Sequence, residues 1–237
     1  MTAANHLQLV QQRMAQACQK AQRNPKDVML LAVSKTFPLA AVLELAEQGQ
    51  LAFGENYLQE GLDKITQAAE HGTKATQLEW HFIGPIQSNK TKPIAEHFAW
   101  VHSIDRLKIA ERLAKQRPAH LPPLNVLVQI NTSGEQSKSG VEPSQAAALC
   151  KQVNALPNLA LRGLMTIPSH TDNTQALREE FLMCKQLFDQ MRTEGLALDT
   201  LSMGMSGDLE LAIECGSTCV RVGTALFGLR NRQVPNT

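Results

Sequence analysis

The chain has 237 residues, 43% of them hydrophobic, and its 23 basic and 22 acidic residues leave a formal net charge of +1. This length suits one large domain or two small ones, and the balanced charge argues against nucleic acid or an anionic membrane as the principal partner. The N-terminal residues lack the apolar run of a signal peptide, and no stretch is long and apolar enough to predict a membrane span.

Strand-like and helical segments alternate along most of the chain. An amphipathic helix is predicted near residues 7–22, before the first strand. The predicted strands comprise residues 28–33, 51–53, 80–83, 100–104, 124–130, 159–167, 200–203 and 218–222. The clearest helices between them comprise residues 38–48, 143–155, 174–193 and 209–214. Asp105 is expected to cap the helix after the fourth strand.

Eight strands, each followed by a helix or helical turn, predict the fold class. Alternation of this kind requires parallel strands, because each helix forms the right-handed crossover to the next strand. Eight such units close into a barrel. The prediction is an α/β protein with a single (β/α)₈ barrel domain spanning residues 1–237 and an extra N-terminal helix.

Polar residues at the C-terminal ends of the strands mark the expected functional face of such a barrel. Lys35 is the most informative, because it ends a strand of six apolar residues and should lie at the mouth of an apolar barrel. Desolvation lowers the pKa of a lysine, and the neutral amine attacks aldehydes to form a Schiff base. From its position alone, a lysine that simply reaches solvent is the more frequent case.

Two glycine-containing segments follow the seventh and eighth predicted strands. Barrels frequently bind phosphate between these two loops, and small residues leave backbone N–H groups accessible to an anion. Ser206, Gly223 and Thr224 are therefore predicted phosphate contacts. The alternative is that the glycines at 204, 207 and 223 only satisfy turn geometry.

Arg221 should point into the barrel, because side chains alternate along a strand and Arg221 lies two residues before Gly223. A buried guanidinium needs an acceptor. The ring nitrogen of a bound heterocycle and an interior carboxylate such as Glu55 are equally suitable, and spacing does not choose between them.

Six motifs in chain order resemble those of the pyridoxal phosphate homeostasis protein family, also called YggS or PROSC. They read LAVSKT (31–36), FGENY (53–57), WHFIGPIQSNK (80–90), RGLM (162–165), LSMGMSGD (201–208) and VRVGTALFG (220–228). The resemblance covers nearly the whole chain. It implies a barrel like the N-terminal domain of alanine racemase, of the fold type III class, that binds pyridoxal 5′-phosphate (PLP).

The resemblance also implies roles for individual residues. Lys35 would hold PLP as an internal aldimine, and Arg221 would face the pyridine nitrogen. Asn56 and Met165 match positions that line the ring pocket, while Ser206, Gly223 and Thr224 match the phosphate contacts. The implied function is PLP homeostasis, meaning storage, delivery or scavenging of this vitamin B6 cofactor, with consequences for amino-acid homeostasis.

We expect this PLP site to be non-catalytic. An arginine at the ring nitrogen offers no proton, so the ring becomes a poorer electron sink. The chain ends about ten residues after the eighth predicted strand, so no covering domain is expected, and its one tyrosine is Tyr57. The alternatives are a PLP-dependent racemase or lyase of amino acids, and an aldolase that uses Lys35 for its Schiff base.

Further expectations concern two loop lysines, a core histidine, the cysteines and the partners of the protein. Lys90 and Lys138 lie in loops near the same mouth and are more often solvated than reactive, and His81 is expected to be a hydrogen-bonded core residue without a metal. The five cysteines, an odd number without a C-x-x-C pair, predict buried, reduced thiols in a cytoplasmic protein. The protein is expected to be monomeric and to contact PLP-dependent apo-enzymes transiently.

Overall fold

The computed structural model describes residues 2–72, 77–135 and 139–228. Eight parallel strands hydrogen-bond in the order β1 to β8 and close into a barrel, which confirms the predicted fold class. The strands are β1 Met29–Val33, β2 Ala52–Glu55, β3 Glu79–Phe82, β4 Trp100–Ile104, β5 Leu124–Ile130, β6 Leu159–Thr166, β7 Thr200–Ser202 and β8 Cys219–Val222.

Helices surround the barrel and cover its outer face. They are α1 Ala3–Lys20, α2 Leu39–Glu47, α3 Leu58–Glu70, α4 Thr91–His97, α5 Leu107–Gln116, α6 Pro143–Asn154, α7 Thr174–Thr193, α8 Leu209–Glu214 and α9 Thr224–Phe227. Short 3₁₀ turns occupy Pro25–Asp27 and Ser88–Lys90. Among the described helices, none combines the length and the apolar character that crossing a membrane requires.

Two layers of apolar residues hold the barrel together. The larger core lies between the strands and the helices, and strand residues such as Ala32, Val101 and Val220 are fully buried there. The barrel interior is filled by smaller clusters, one around Leu31 and one around Leu127. All five cysteines are buried and unbridged. A packed interior confines a ligand to the ends of the strands.

The extra N-terminal helix is confirmed, and it packs beside the segments that follow β7 and β8. Arg13 on α1 donates through Nε to Glu210 Oε1 at 2.6 Å and through Nη2 to the carbonyl of Ser206 at 2.9 Å. The ring of His6 is hydrogen-bonded through Nδ1 to the carbonyl of Leu226 at 3.0 Å. Helix α1 therefore braces the loop after β7 and the short helix after β8.

The predicted helix cap at Asp105 is wrong. Arg106 occupies the position before α5, and no side chain caps that end. The Asp105 carboxylate instead accepts two hydrogen bonds at 2.8 Å from Nη1 of Arg106. An adjacent guanidinium offers a charge-assisted bond that outcompetes a backbone N–H for the carboxylate.

Candidate functional site

A cavity of about 240 Å³ lies at the C-terminal ends of the strands. Its described lining consists of Val33, Lys35, Phe37, Asn56, Ile83, Ile167, Met205, Ser206, Gly207, Arg221, Gly223 and Thr224. Six of the seven residues predicted from the sequence therefore meet here. At the rim, Ile167 and Met205 stay 40% and 37% exposed. The cavity is therefore a surface pocket with an apolar rim.

Met165 is the predicted residue that the structure places elsewhere. Its side chain is fully buried and packs with Trp100 and Leu127 inside the barrel, below the cavity. Ile167, two residues further along, lines the cavity instead. Successive residues of the same orientation lie in successive layers of a barrel, so the two positions share a direction and differ in depth.

Carboxylates bind the residues on both sides of Lys35. Before it, the hydroxyl of Ser34 donates to Glu55 Oε1 at 2.6 Å. After it, the N–H of Thr36 donates to Glu60 Oε1 at 2.6 Å. Thr36 has a φ of +69°, in the left-handed region that β-branched residues rarely adopt. The turn that presents Lys35 is therefore fixed from two directions.

Lys64 joins these two carboxylates. Its Nζ donates to Glu55 Oε1 at 2.7 Å, to Glu60 Oε1 at 2.6 Å and to the carbonyl of Ser34 at 2.8 Å. Burial raises the pKa of the Glu55 carboxyl, against the hydrogen bonds from Lys64 and Ser34 that lower it. The sequence interpretation missed this cluster, although the i,i+4 spacing of Glu60 and Lys64 on α3 was a signal.

The loops after β7 and β8 meet at one end of the cavity. The N–H of Ala225 lies 3.4 Å from Ser206 Oγ, which accepts its hydrogen bond, so the two loops touch. A Cβ added to Gly207 would meet open space, whereas one on Gly223 would lie 3.3 Å from the carbonyl oxygen of Val33. Gly204 has a φ of +95° and its role is the turn itself.

Arg221 forms the floor of the cavity and is only 4% exposed. Its Nη1 donates to the carbonyl and the hydroxyl of Ser202, each at 2.8 Å, and its Nη2 donates to the carbonyl of Thr166 at 2.8 Å. Burial lowers the pKa of the Arg221 guanidinium. The anticipated alternative of a salt bridge to Glu55 is not formed, because Glu55 is bonded to Lys64 and Ser34.

Asn56 lines the wall of the cavity that faces β3. Its Oδ1 atom is buried and accepts no hydrogen bond from the described residues. A Cβ on Gly84 would lie 2.1 Å from the carbonyl oxygen of Asn56, so only glycine permits this close approach of the two loops. The described residues therefore leave the hydrogen-bonding capacity of this lining residue's amide oxygen unused.

The remaining candidates lie apart from this cavity. Lys90 is exposed and is not part of the lining, and Lys138 lies outside the described residues. His81 is fully buried and hydrogen-bonded, as predicted. Within the ranges that the structure describes, no three His, Cys, Asp or Glu side chains are grouped so as to hold a metal ion.

Comparison with known proteins gives consistent results. Residues 6–231 match the family model described as alanine racemase, N-terminal domain. The chain is 56% identical over 234 residues to the pyridoxal phosphate homeostasis protein of Pseudomonas aeruginosa, covering 99% of this chain and 98% of that protein.

Solved structures agree with the fold. PipY of Synechococcus elongatus with PLP bound superposes with a TM-score of 0.78 at 33% identity, covering 92% of this chain and all of PipY (100%). Alanine racemase of Corynebacterium glutamicum has a TM-score of 0.71 at 16% identity, covering 99% of this chain and 62% of that enzyme. The second likeness concerns the fold alone.

The cluster around Lys64 predicts a large stability effect. In Lys64→Met, Glu55 stays buried without its cation, which should lower the free energy of unfolding by roughly 3 to 5 kcal/mol. Urea denaturation measures this loss. The double variant Glu55→Gln, Lys64→Met is the control, and it should recover part of the stability because no fully buried charge is left unpaired, Glu60 being partly exposed. A loss below about 1 kcal/mol in Lys64→Met, typical of an exposed pair, would contradict a structural role for the ion pair.

Proposed function

The chain belongs to the pyridoxal phosphate homeostasis protein family, which carries the alanine racemase N-terminal domain, and from this membership we propose that it binds PLP at the cavity and holds the cofactor without catalysing a reaction. When bound, PLP supplies an aldehyde that an amine can capture and a pyridine ring that can accept electrons. We propose a contact in the cavity for the phosphate, the aldehyde and the ring nitrogen of PLP in turn.

The fit to PLP is supported by the residues available for its phosphate and for its aldehyde. Ser206, Gly207, Gly223 and Thr224 cluster at one end, where small residues leave backbone N–H groups and hydroxyls accessible to a phosphate. Lys35 stands on the wall formed by β1. We propose that its Nζ attacks the aldehyde carbon, a C=N bond forms and water leaves, so that PLP becomes tethered to the chain.

Arg221 suits the ring nitrogen of PLP. A guanidinium has only N–H donors and stays charged, so it can donate to an unprotonated nitrogen but cannot give it a proton. Its position is set by the carbonyls of Thr166 and Ser202. With its nitrogen unprotonated, the ring is a weak electron sink, which disfavours the carbanion chemistry of most PLP enzymes.

One observation carries the non-catalytic proposal. Among the described residues that line the cavity, Lys35 and Arg221 alone have ionisable side chains. Racemisation requires a second acid/base group across the ring from the lysine, and general acid–base catalysis contributes large rate factors. Tyr57 is 56% exposed and is not part of the lining. We therefore propose that the site binds and orients the cofactor, and that the described lining has no second acid/base group beside Lys35 for a two-base proton transfer.

Two enzymatic alternatives stay open to test. A PLP-dependent racemase or lyase would need the missing acid/base group, and an aldolase would use Lys35 without PLP. The relatives' names and the PLP-bound PipY structure favour PLP over an aldolase substrate.

The setting of this function is also proposed. The five buried, unbridged cysteines suit a reducing compartment, and we propose that the protein acts in the cytoplasm. Its transient contact with PLP-dependent apo-enzymes and its monomeric state remain predictions.

The tether is tested by absorption spectroscopy. Protein incubated with PLP should show the visible band of a protonated Schiff base, and Lys35→Ala should lose this band. Because the phosphate contacts remain, Lys35→Ala should still bind PLP, with an affinity at least roughly tenfold weaker, which corresponds to about 1.4 kcal/mol. Lys90→Ala is the matched control and should retain the full band. Persistence of the band in Lys35→Ala would rule out the tether.

The absence of catalysis is tested by a substrate panel. The PLP-loaded protein is incubated with a broad set of amino acids, and racemisation, transamination and decarboxylation are followed. We expect rates no higher than those of free PLP at the same concentration, because the cavity supplies no second acid/base group. Multiple turnovers of any one amino acid above that rate would establish an enzyme.

A further inference from the structure

A line of polar side chains crosses the barrel interior below the cavity. Arg221 Nη1 donates to Ser202 Oγ at 2.8 Å, and Ser202 Oγ lies 3.1 Å from His102 Nδ1. His102 Nε2 lies 2.9 Å from His81 Nδ1, and His81 Nε2 lies 2.9 Å from Glu79 Oε1. The line begins at the floor of the cavity and ends at Glu79, whose side chain is 44% exposed.

The two ends of this line determine where its protons lie. An ionised carboxylate only accepts, so Nε2 of His81 carries the proton that faces Glu79. Nδ1 of a neutral His81 is then an acceptor, and Nε2 of His102 must donate to it. Nδ1 of His102 is an acceptor in turn, so the hydroxyl of Ser202 donates to it and turns its lone pairs toward Arg221. Every bond then has one donor and one acceptor.

The surroundings keep both imidazoles neutral. Burial lowers the pKa of His81, although hydrogen bonding to Glu79 raises it, and burial together with the charges of His81 and Arg221 lowers the pKa of His102 well below its usual range. Hydrogen bonding from His81 lowers the pKa of Glu79, which keeps that carboxyl ionised at neutral pH. Trp100 stacks on His81 with the ring centroids 5.2 Å apart and offers no charge.

The geometry assigns Glu79, His81, His102 and Ser202 to a hydrogen-bond chain of one fixed direction that positions Arg221 for the ring of the bound ligand. These are positioning residues, because Arg221 alone among the five lines the cavity. Among the described contacts, the Arg221 guanidinium donates no hydrogen bond to a carboxylate, and the charge of Asp208 acts on it only through space. The hydrogen-bond chain therefore links the buried charge of Arg221 to the Glu79 carboxylate at the opposite end of the barrel.

The hydrogen-bond chain is expected to affect how the ring nitrogen of the ligand is bound. If Ser202 turned its hydroxyl proton toward Arg221, Nη1 would lose its side-chain acceptor and the guanidinium would shift toward its backbone partners. The ring nitrogen of the ligand is the group that depends on this position, so the effect concerns that nitrogen and not the phosphate. This part of the inference rests on the proposed function, whereas the chain itself does not involve the ligand.

The direction of the chain is tested first, on the protein without PLP. Nitrogen-15 NMR of the imidazoles distinguishes the two neutral tautomers from the charged form. We expect His81 and His102 both as the neutral Nε2–H tautomer at pH 7. Glu79→Leu is a surface variant that removes the terminal acceptor, and it should allow the Nδ1–H tautomer to appear at His81. A protonated imidazole, or the Nδ1–H tautomer in the unaltered protein, would overturn the assignment.

The effect on Arg221 is tested with a pair of ligands. PLP is compared with the analogue in which a C–H replaces the ring nitrogen, and the ratio of their dissociation constants is measured. Ser202→Ala should reduce the preference for PLP by about threefold, the size expected from weakening one hydrogen bond. Leu113→Ala is the control. Leu113 is a fully buried residue of α5, so this substitution should lower stability, and Leu113 is not a member of the hydrogen-bond chain. This variant should leave the ratio unchanged.

The outcomes separate the two proposals. An unchanged ratio in Ser202→Ala, or an equal change in Leu113→Ala, would show that the chain does not position Arg221. Failure of the unaltered protein to bind PLP would contradict the proposed function. In that case the tautomers measured without ligand still decide whether the chain has the assigned direction.

Discussion

Arg221 carries its charge into the barrel interior, and the arrangement of the site follows from the need to solvate that charge. A buried guanidinium is tolerated only where its N–H groups find acceptors. The carbonyls of Thr166 and Ser202 provide them because both residues end neighbouring strands, β6 and β7. These hydrogen bonds hold the guanidinium at the floor of the cavity, where by our proposal it would face an unprotonated heterocyclic nitrogen. One buried charge thus determines the local structure and, in the proposed function, would also select the protonation state of the ligand's ring nitrogen.

Near Lys35, a second buried cation is bound mainly by carboxylates, whereas Arg221 is bound by neutral acceptors. There a buried lysine, Lys64, is surrounded by two carboxylates and a carbonyl, and the outcome is a rigid turn around Lys35. Glu60 accepts the N–H of Thr36 and so stabilises the left-handed conformation of that residue. A rigid turn presents the Lys35 amine at a fixed place relative to the loops after β7 and β8. Capture of an aldehyde needs this placement, whereas further chemistry needs a second acid/base group that the described lining lacks.

Much of this arrangement was predictable from the sequence. Alternating apolar strands and helices predicted the closed barrel, and the barrel geometry predicted that Lys35, Arg221 and the loops after the last two strands would meet. The partners of Arg221 and Lys64 were not predictable, because they depend on strand register and on the layers inside the barrel. Met165 illustrates the limit: the family resemblance placed it at the ring pocket, but its depth, one layer below the cavity, could not be predicted from the sequence. The pairing of His81 with His102 likewise requires β3 and β4 to be adjacent at a known register.

We propose that Lys35 tethers PLP in the cavity at the ends of the strands. The most direct measurement is borohydride reduction of the protein in the presence of one equivalent of PLP, followed by peptide mapping. Hydride converts the C=N bond of a Schiff base into a stable C–N bond, so the modified residue is recorded. We expect modification of Lys35 alone. Modification chiefly of another lysine such as Lys90, or no modification of Lys35, would contradict it.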